Sequence, residues 1–321
     1  MCEIKGHNSS VTSVNFSLTD SNILCSGDAN GIFRIWDLRT KKTTKAYQFP
    51  TKTDITSSQC FDEKCYISSE NNVHLFDLRV GGLFMKTPLF TTIAEDDVNK
   101  IKVDKDHEEL AFCDDSGSVT VLKVSDNTIT SKLSHIHQSV CPLQNNEHKN
   151  ETHTHLCSDI VFDINKKVVY TSGLDMTVMK SLYLPSQNVL MKSSFKNTTS
   201  NTLVNPPMAH SIDLNGRGTQ LLVACGDGSV YWLNTGDLKV NRKFEISLGM
   251  AQQALYYNHD SLYLFATPNE LQCRSNVFEM VFARNFCKIN DVAANDKTRQ
   301  IAVADHSCDI HFFETAEEEE C

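Results

Sequence analysis

Two four-residue corners carry the residue types best suited to binding chemistry, Trp36-Asp37-Leu38-Arg39 and Phe76-Asp77-Leu78-Arg79. Each closes an alternating apolar run that reads as a strand, so each Arg stands just past a rigid strand end. From there a guanidinium fork can bond carboxylates or carbonyls of a partner. Because the corner occurs twice, Arg39 and Arg79 are candidates for one patch, with Trp36, Asp37, Phe76 and Asp77 as the residues around them.

A second group is His135, His137, Cys141, His148, His153, His155 and Cys157. Imidazoles and thiols are zinc ligands, but these spacings fit no standard finger, and several lie in a polar insertion at 138–152. The reading is no metal and no cofactor, with His153 structural and the insertion a solvated loop. Covalent and phosphate chemistry find no motif: no Gly-rich loop passes from a strand into a helix, no G-x-S-x-G elbow occurs, and Asp114 and Asp115 sit where a turn is expected. The chain is read as non-enzymatic.

The elements that must position these corners repeat. Residues 22–39 read as a short apolar strand, a tight turn at Asp28-Ala29-Asn30-Gly31 and a returning strand. Weaker copies follow at 65–79, 109–124, 167–184, 220–234, 261–276 and 299–314, with turns roughly 40–60 residues apart, the period of a four-stranded blade. Each copy is preceded by another apolar strand, at 11–16, 55–60, 98–103, 157–162, 210–214, 251–256 and 289–293. Strands apolar on both faces fit sheets sandwiched between neighbours. The sequence therefore predicts an all-β, seven-bladed propeller spanning 1–315 as a single domain, with an acidic tail at 316–321. The lone strand Cys2-Glu3-Ile4-Lys5 is expected to join the last blade, which has room for no fourth strand of its own, and so to close the ring.

The 321 residues carry a net charge of −10 with no basic stripe beyond Arg39, Lys41, Lys42 and Lys45, which disfavours a nucleic-acid partner. No apolar run approaches a membrane span and no signal peptide opens the sequence, so a cytoplasmic or nuclear protein is expected. Twelve cysteines without a C-x-x-C pair read as reduced thiols, with Cys25, Cys113 and Cys225 in strand interiors.

Gly6-His7, Ser26-Gly27 and Trp36-Asp37 resemble the WD-repeat family of β-propeller interaction platforms, and segments 111–117, 173–179 and 203–212 are similar to one particular member. The resemblance implies a hydrogen-bonded network in each good blade: a His before the first strand, a Ser or Thr in the second, a turn Asp and the closing Trp. In blade one this assigns His7, Ser26 and Trp36, with Asn30 at the turn position and a weakened network. In blade four it assigns His153, Thr171 or Ser172, and Asp175; in blade five Asp227 takes the turn position. The W-D-x-R pattern further resembles the motif by which substrate receptors dock onto the damaged-DNA-binding adaptor of cullin-4 RING ubiquitin ligases. The implied role is a receptor that also holds a client protein; the alternative is a general scaffold in another complex, with both arginines incidental.

Overall fold

The computed structural model describes residues 2–80, 82–140, 152–164, 167–195, 206–246 and 249–315, with 139–140 and 152–154 described as backbone. Among these, seven antiparallel four-stranded sheets form a seven-bladed β-propeller. Blade one is Val11–Phe16, Ile23–Asp28, Ile32–Asp37 and Lys42–Gln48. Blade two is Ile55–Phe61, Lys64–Ser69, Asn72–Asp77 and Phe90–Ile93. The last sheet takes its outer strand from the N-terminus, Cys2–Lys5 pairing antiparallel with Asp309–Glu314 as Cys2 opposite Phe312 and Lys5 opposite Asp309. Cα packing divides the chain into two compact units, Met1–Ile93 with Leu255–Cys321, and Ala94–Ala254.

Burial falls from the inner strands outward, and the sequence follows it. Leu221, Leu222, Val223, Ala224 and Cys225 are all buried, whereas Val240–Glu245, the outer strand of the same sheet, is exposed along nearly its whole length. In the first unit, Cys25, Phe33, Ile35 and Phe49 of blade one pack against Ile55, Cys60, Ile67 and Phe76 of blade two. In the second, Tyr170, Val178 and Phe195 pack against Ile212, Leu221, Val223 and Tyr231. Burying a side chain of this size contributes about 1.5–3 kcal/mol, so the faces between blades, rather than any one blade, carry the stability. Cys25, Cys60, Cys65, Cys113, Cys157, Cys225 and Cys273 are buried free thiols. Burial pushes the Cys60, Cys65, Cys157 and Cys225 thiols up, which keeps them unreactive.

A β-bulge recurs near the start of the first strand, at Val11/Ser13, Ile55/Ser57, Val98/Lys100, Cys157/Asp159, Ala209/Ser211 and Ile289/Asp291. The bulged residue is released from the ladder, and at Thr12, Asn99, Ser158 and Asn290 its side chain reaches the next blade. In the first unit Asn290 Nδ2 donates to the Val11 carbonyl at 2.7 Å and Thr12 Oγ1 to the Ile55 carbonyl at 2.7 Å. In the second, Asn99 Nδ2 donates to the Cys157 carbonyl at 3.0 Å and Ser158 Oγ to the Ala209 carbonyl at 2.5 Å. The residue after the bulge repeats the device: the Val14 amide donates to Asp291 at 3.1 Å, and the Ile212 amide to Asp159 at 3.1 Å. These polar residues inside apolar strands thereby tie consecutive blades.

Candidate functional site

Each D-x-R corner is built by its own strand end. Asp37 closes Ile32–Asp37, and the Leu38 amide bonds back to the Asn22 carbonyl at 2.8 Å, which stops the strand and buries Leu38 beside Trp36. The Asp37 carboxylate accepts from the Arg39 amide at 2.9 Å, from its Nε at 3.0 Å and from its Nη2 at 2.8 Å. Blade two repeats the arrangement: the Leu78 amide bonds the Glu63 carbonyl at 2.8 Å, and Asp77 accepts from the Arg79 amide, Nε and Nη2 at 2.9, 3.0 and 2.7 Å. Both aspartates are largely covered while both arginine side chains are 66% exposed. The Arg39 guanidinium holds the Asp37 carboxyl below the usual carboxylate range, and Arg79 holds Asp77 down at about 2.

The consequence is a pre-set fork. One edge of each guanidinium, Nε with Nη2, is spent on its own carboxylate, which leaves the other edge of Arg39 to take a second carboxylate with little rotamer entropy left to lose. The two forks are not equal. Arg79 Nη1 also meets exposed Glu63 at 3.2 Å, whereas Arg39 has no ion pair beyond Asp37 among the described residues. Arg39 borders a groove of about 580 Å³ whose lining includes Leu38, Lys41, Asn22, Cys2 and Phe312. Glu63 gave no signal in the sequence, because its approach depends on the turn between the first two strands of blade two folding under the corner.

In blade one a buried relay joins four side chains. Trp36 Nε1 donates to Ser26 Oγ at 2.8 Å, Ser26 and His7 Nε2 lie 2.7 Å apart, and His7 Nδ1 meets Asp28 Oδ2 at 2.8 Å. A Ser26 hydroxyl donating to Nε2 and an Nδ1–H donating to Asp28 satisfy every member. Asn30 is not part of it, and the network is not weakened. Asp28, the last residue of its strand, folds its side chain over the turn: Oδ1 accepts from the Asn30 and Ile32 amides at 3.0 and 2.9 Å, and Oδ2 is left for His7. Gly31 closes the turn at φ +71°, where a Cβ would fall 2.8 Å from the Thr53 carbonyl oxygen.

In blade four the histidine is His137, not His153. His137 Nδ1 lies 2.9 Å from Asp175 Oδ1 and Nε2 lies 2.9 Å from Thr171 Oγ1, with Thr177 Oγ1 donating to Asp175 at 2.6 Å. His153 pairs through its backbone with Ser139 in the short ladder of Gln138–Val140 with Thr152–Thr154, and its side chain lies outside the described residues. The insertion thus begins after the network histidine and returns beside it, the His155 amide bonding the His137 carbonyl at 3.0 Å. Counting back from the first strand, which works for His7, lands past the insertion. Burial alone would raise the Asp175 carboxyl; the bonds and charges of His137, Thr177 and Lys192 outweigh it and bring it down to about 2.

Asp227 caps its own turn, accepting from the Ser229 amide at 3.0 Å. Register puts Cys225 where Asp28 stands in blade one, and Leu233, opposite Leu221, where Trp36 stands opposite Leu24. Trp232 is therefore one place out of line with Trp36. Of the His/Cys group, Cys141 and His148 lie outside the described residues, as do 203–205 and the acidic tail at 316–321. Among the described residues no three His, Cys, Asp or Glu side chains gather as a metal site.

The WD domain, G-beta repeat family matches residues 1–37, which include His7, Ser26, Asp28 and Trp36. The chain is 26% identical over 248 residues to the WD repeat-containing protein 53 homolog of Dictyostelium discoideum, a match covering 70% of this chain and 62% of that protein's length. Its fold is similar to the β-propeller domain of Myceliophteria thermophila Cps50 (Swd1), with a TM-score of 0.76 at 13% identity over 98% of this chain and 99% of the other.

Proposed function

We propose, from the premise that the chain is a seven-bladed WD-repeat β-propeller, that it is a substrate receptor docking on the damaged-DNA-binding adaptor of a cullin-4 RING ubiquitin ligase. Propellers of this kind are protein-interaction scaffolds, since rigid strands hold exposed corners and loops of free sequence. The observation that carries the finer reading is the duplicated corner: Arg39 and Arg79, each gripped through Nε and Nη2 by its own covered Asp, each exposed at the same strand end of adjacent blades. A single surface arginine with a free rotamer would be ordinary; two held the same way offer a partner's carboxylates or carbonyls two pre-oriented forks.

Function then follows from proximity, with the adaptor on one surface and a client protein on another, its lysines brought within reach of the ligase. No side chain of the receptor performs covalent chemistry in this scheme. The test is affinity capture with the intact chain beside Arg39→Ala/Arg79→Ala, with mass spectrometry of the bound proteins and circular dichroism of both. Adaptor and cullin recovered by the first and lost by the second support the reading. Equal recovery by both removes the arginines from docking, and recovery by neither rejects the receptor role.

A further inference from the structure

Directly after Arg79 the chain leaves blade two and runs along the outer strand of blade one. The path is pinned. Lys45 Nζ donates to the Val80 and Gly82 carbonyls at 3.3 and 3.2 Å, the Ala46 amide to the Leu83 carbonyl at 2.7 Å, and the Met85 amide to the Ala46 carbonyl at 2.8 Å. Ala46 and Phe84 thereby form a parallel bridge, and Met85 turns inward to join Phe33, Phe49 and Phe76 in the core. Farther on, the Leu89 amide is fixed to the Leu75 carbonyl at 2.8 Å.

On this fixed backbone the apolar side chains face the wrong way for a solvated connection. Phe84 is 76% exposed and Leu89 65%, with Val80 and Leu83 also in the open. Single exposed apolar residues need no explanation, but Val80, Leu83 and Phe84 stand exposed within five residues of one another on a braced stretch, the kind of feature that marks a protein interface. Its charged neighbours are mixed: Arg79 at its start meets Asp77 and Glu63, Lys45 lies beneath it, and exposed Lys86 within it is paired with no carboxylate among the described residues. Flat aromatic anchors flanked by arginine are the usual makings of an interface hot spot.

We infer that this segment is the apolar half of the docking surface whose charged half is Arg79, and that Phe84 is its anchor. The inference rests on the receptor reading above and commits to the same partner: a surface of the adaptor that presents an apolar pocket to Phe84 and carboxylates to Arg79 and Lys86. Wedge and fork lie next to each other in sequence, so one partner surface meets both. The strand pairing with Ala46 means that the wedge is already ordered before binding, which lowers the entropy cost of docking.

The test is titration of purified adaptor against the full chain and against Phe84→Ser, Phe84→Trp, Arg39→Ala/Arg79→Ala and Val277→Ser, the last removing another exposed apolar side chain remote in sequence. Phe84→Ser is expected to weaken binding about 30-fold, the size of a hot-spot loss, and Phe84→Trp to restore most of it, with Val277→Ser unchanged. Raising salt from low to physiological strength should shrink the loss seen in the arginine variant and leave that of Phe84→Ser unaltered. Thermal melts confirm that the variants fold, as expected for a side chain so exposed. Wild-type binding that Phe84→Ser leaves intact overturns the wedge alone; failure of the wild type to bind overturns the receptor reading and the wedge together. Sedimentation of the chain by itself is expected to give one species, and a self-associated form dissolved by Phe84→Ser would assign the patch to a second copy instead.

Discussion

Replacing Asp28 by Ala separates the network the structure shows from the one the turn sequence suggests. Asp28 is fully buried and serves three donors: His7 Nδ1 and the Asn30 and Ile32 amides. Stranding a buried imidazole N–H costs about 1–3 kcal/mol, and each lost amide bond about 0.5–1.5 kcal/mol. The sum centres on about 4 kcal/mol, and because His7, Ser26 and Trp36 share one relay the loss spreads to all of them. At roughly 2–4 °C per kcal/mol for a chain of this size, the melting midpoint should fall by about 10 °C. Amide exchange in strands Ile23–Asp28 and Ile32–Asp37 should accelerate first, since the opening is local. Asn30→Ala provides the contrast: its side chain is exposed, only its backbone enters the turn, and the change should stay within about 0.5 kcal/mol. Equal effects of the two variants, or a larger effect of Asn30→Ala, would refute the relay through Asp28.

Three further outcomes are expected. Gly173→Ala would place a Cβ 2.2 Å from His137 Nδ1, so it should displace the imidazole and destabilise by about 1–3 kcal/mol in chemical denaturation, whereas Gly82→Ala, which meets nothing within 4 Å, should not. The Asp175 carboxyl titrates at about 2 in the folded chain against 3.8 when unperturbed. That stability, about 2 kcal/mol, is fully present above pH 4 and lost as pH falls toward 2, so Asp175→Asn should flatten the acid limb of a denaturation-versus-pH series. Asp37→Ala together with Asp77→Ala leaves both arginines in place but releases their forks; on the receptor reading, adaptor affinity should fall several-fold, measurable by calorimetry, with no change in melting beyond that of other surface variants.

The blades were legible because their signals are local. Apolar alternation and turn residues such as Asp114-Asp115-Ser116-Gly117 or Gly226-Asp227-Gly228 mark each hairpin, and a lone N-terminal strand beside a last blade lacking one implies that the two join, as Cys2–Lys5 does with Asp309–Glu314. What sequence reasoning missed depends on register and on length. Asp28 rather than Asn30 reaches His7 because a carboxylate at the strand end can fold over the turn, and no spacing rule distinguishes that from an Asp inside the turn. His137 was passed over for His153 because the insertion lies between the network histidine and Cys157. The Asp grip on each arginine follows from the D-x-R spacing once a strand end is assumed, but Glu63 beneath Arg79 and Phe84 outside blade one arise from where connections travel. Neither carries a local sequence signal, since no periodicity marks Glu63 or the stretch around Phe84.

The most direct measurement of the central claim is calorimetric titration of purified damaged-DNA-binding adaptor into the full chain and into Arg39→Glu/Arg79→Glu, at matched salt and with both proteins shown to be folded. The account predicts saturable binding by the wild type and a loss of about 100-fold or more on charge reversal, because each pre-oriented fork then faces a partner carboxylate with the wrong sign. Undiminished affinity in the reversed variant would contradict it, leaving a propeller scaffold whose twin arginines play no part in docking.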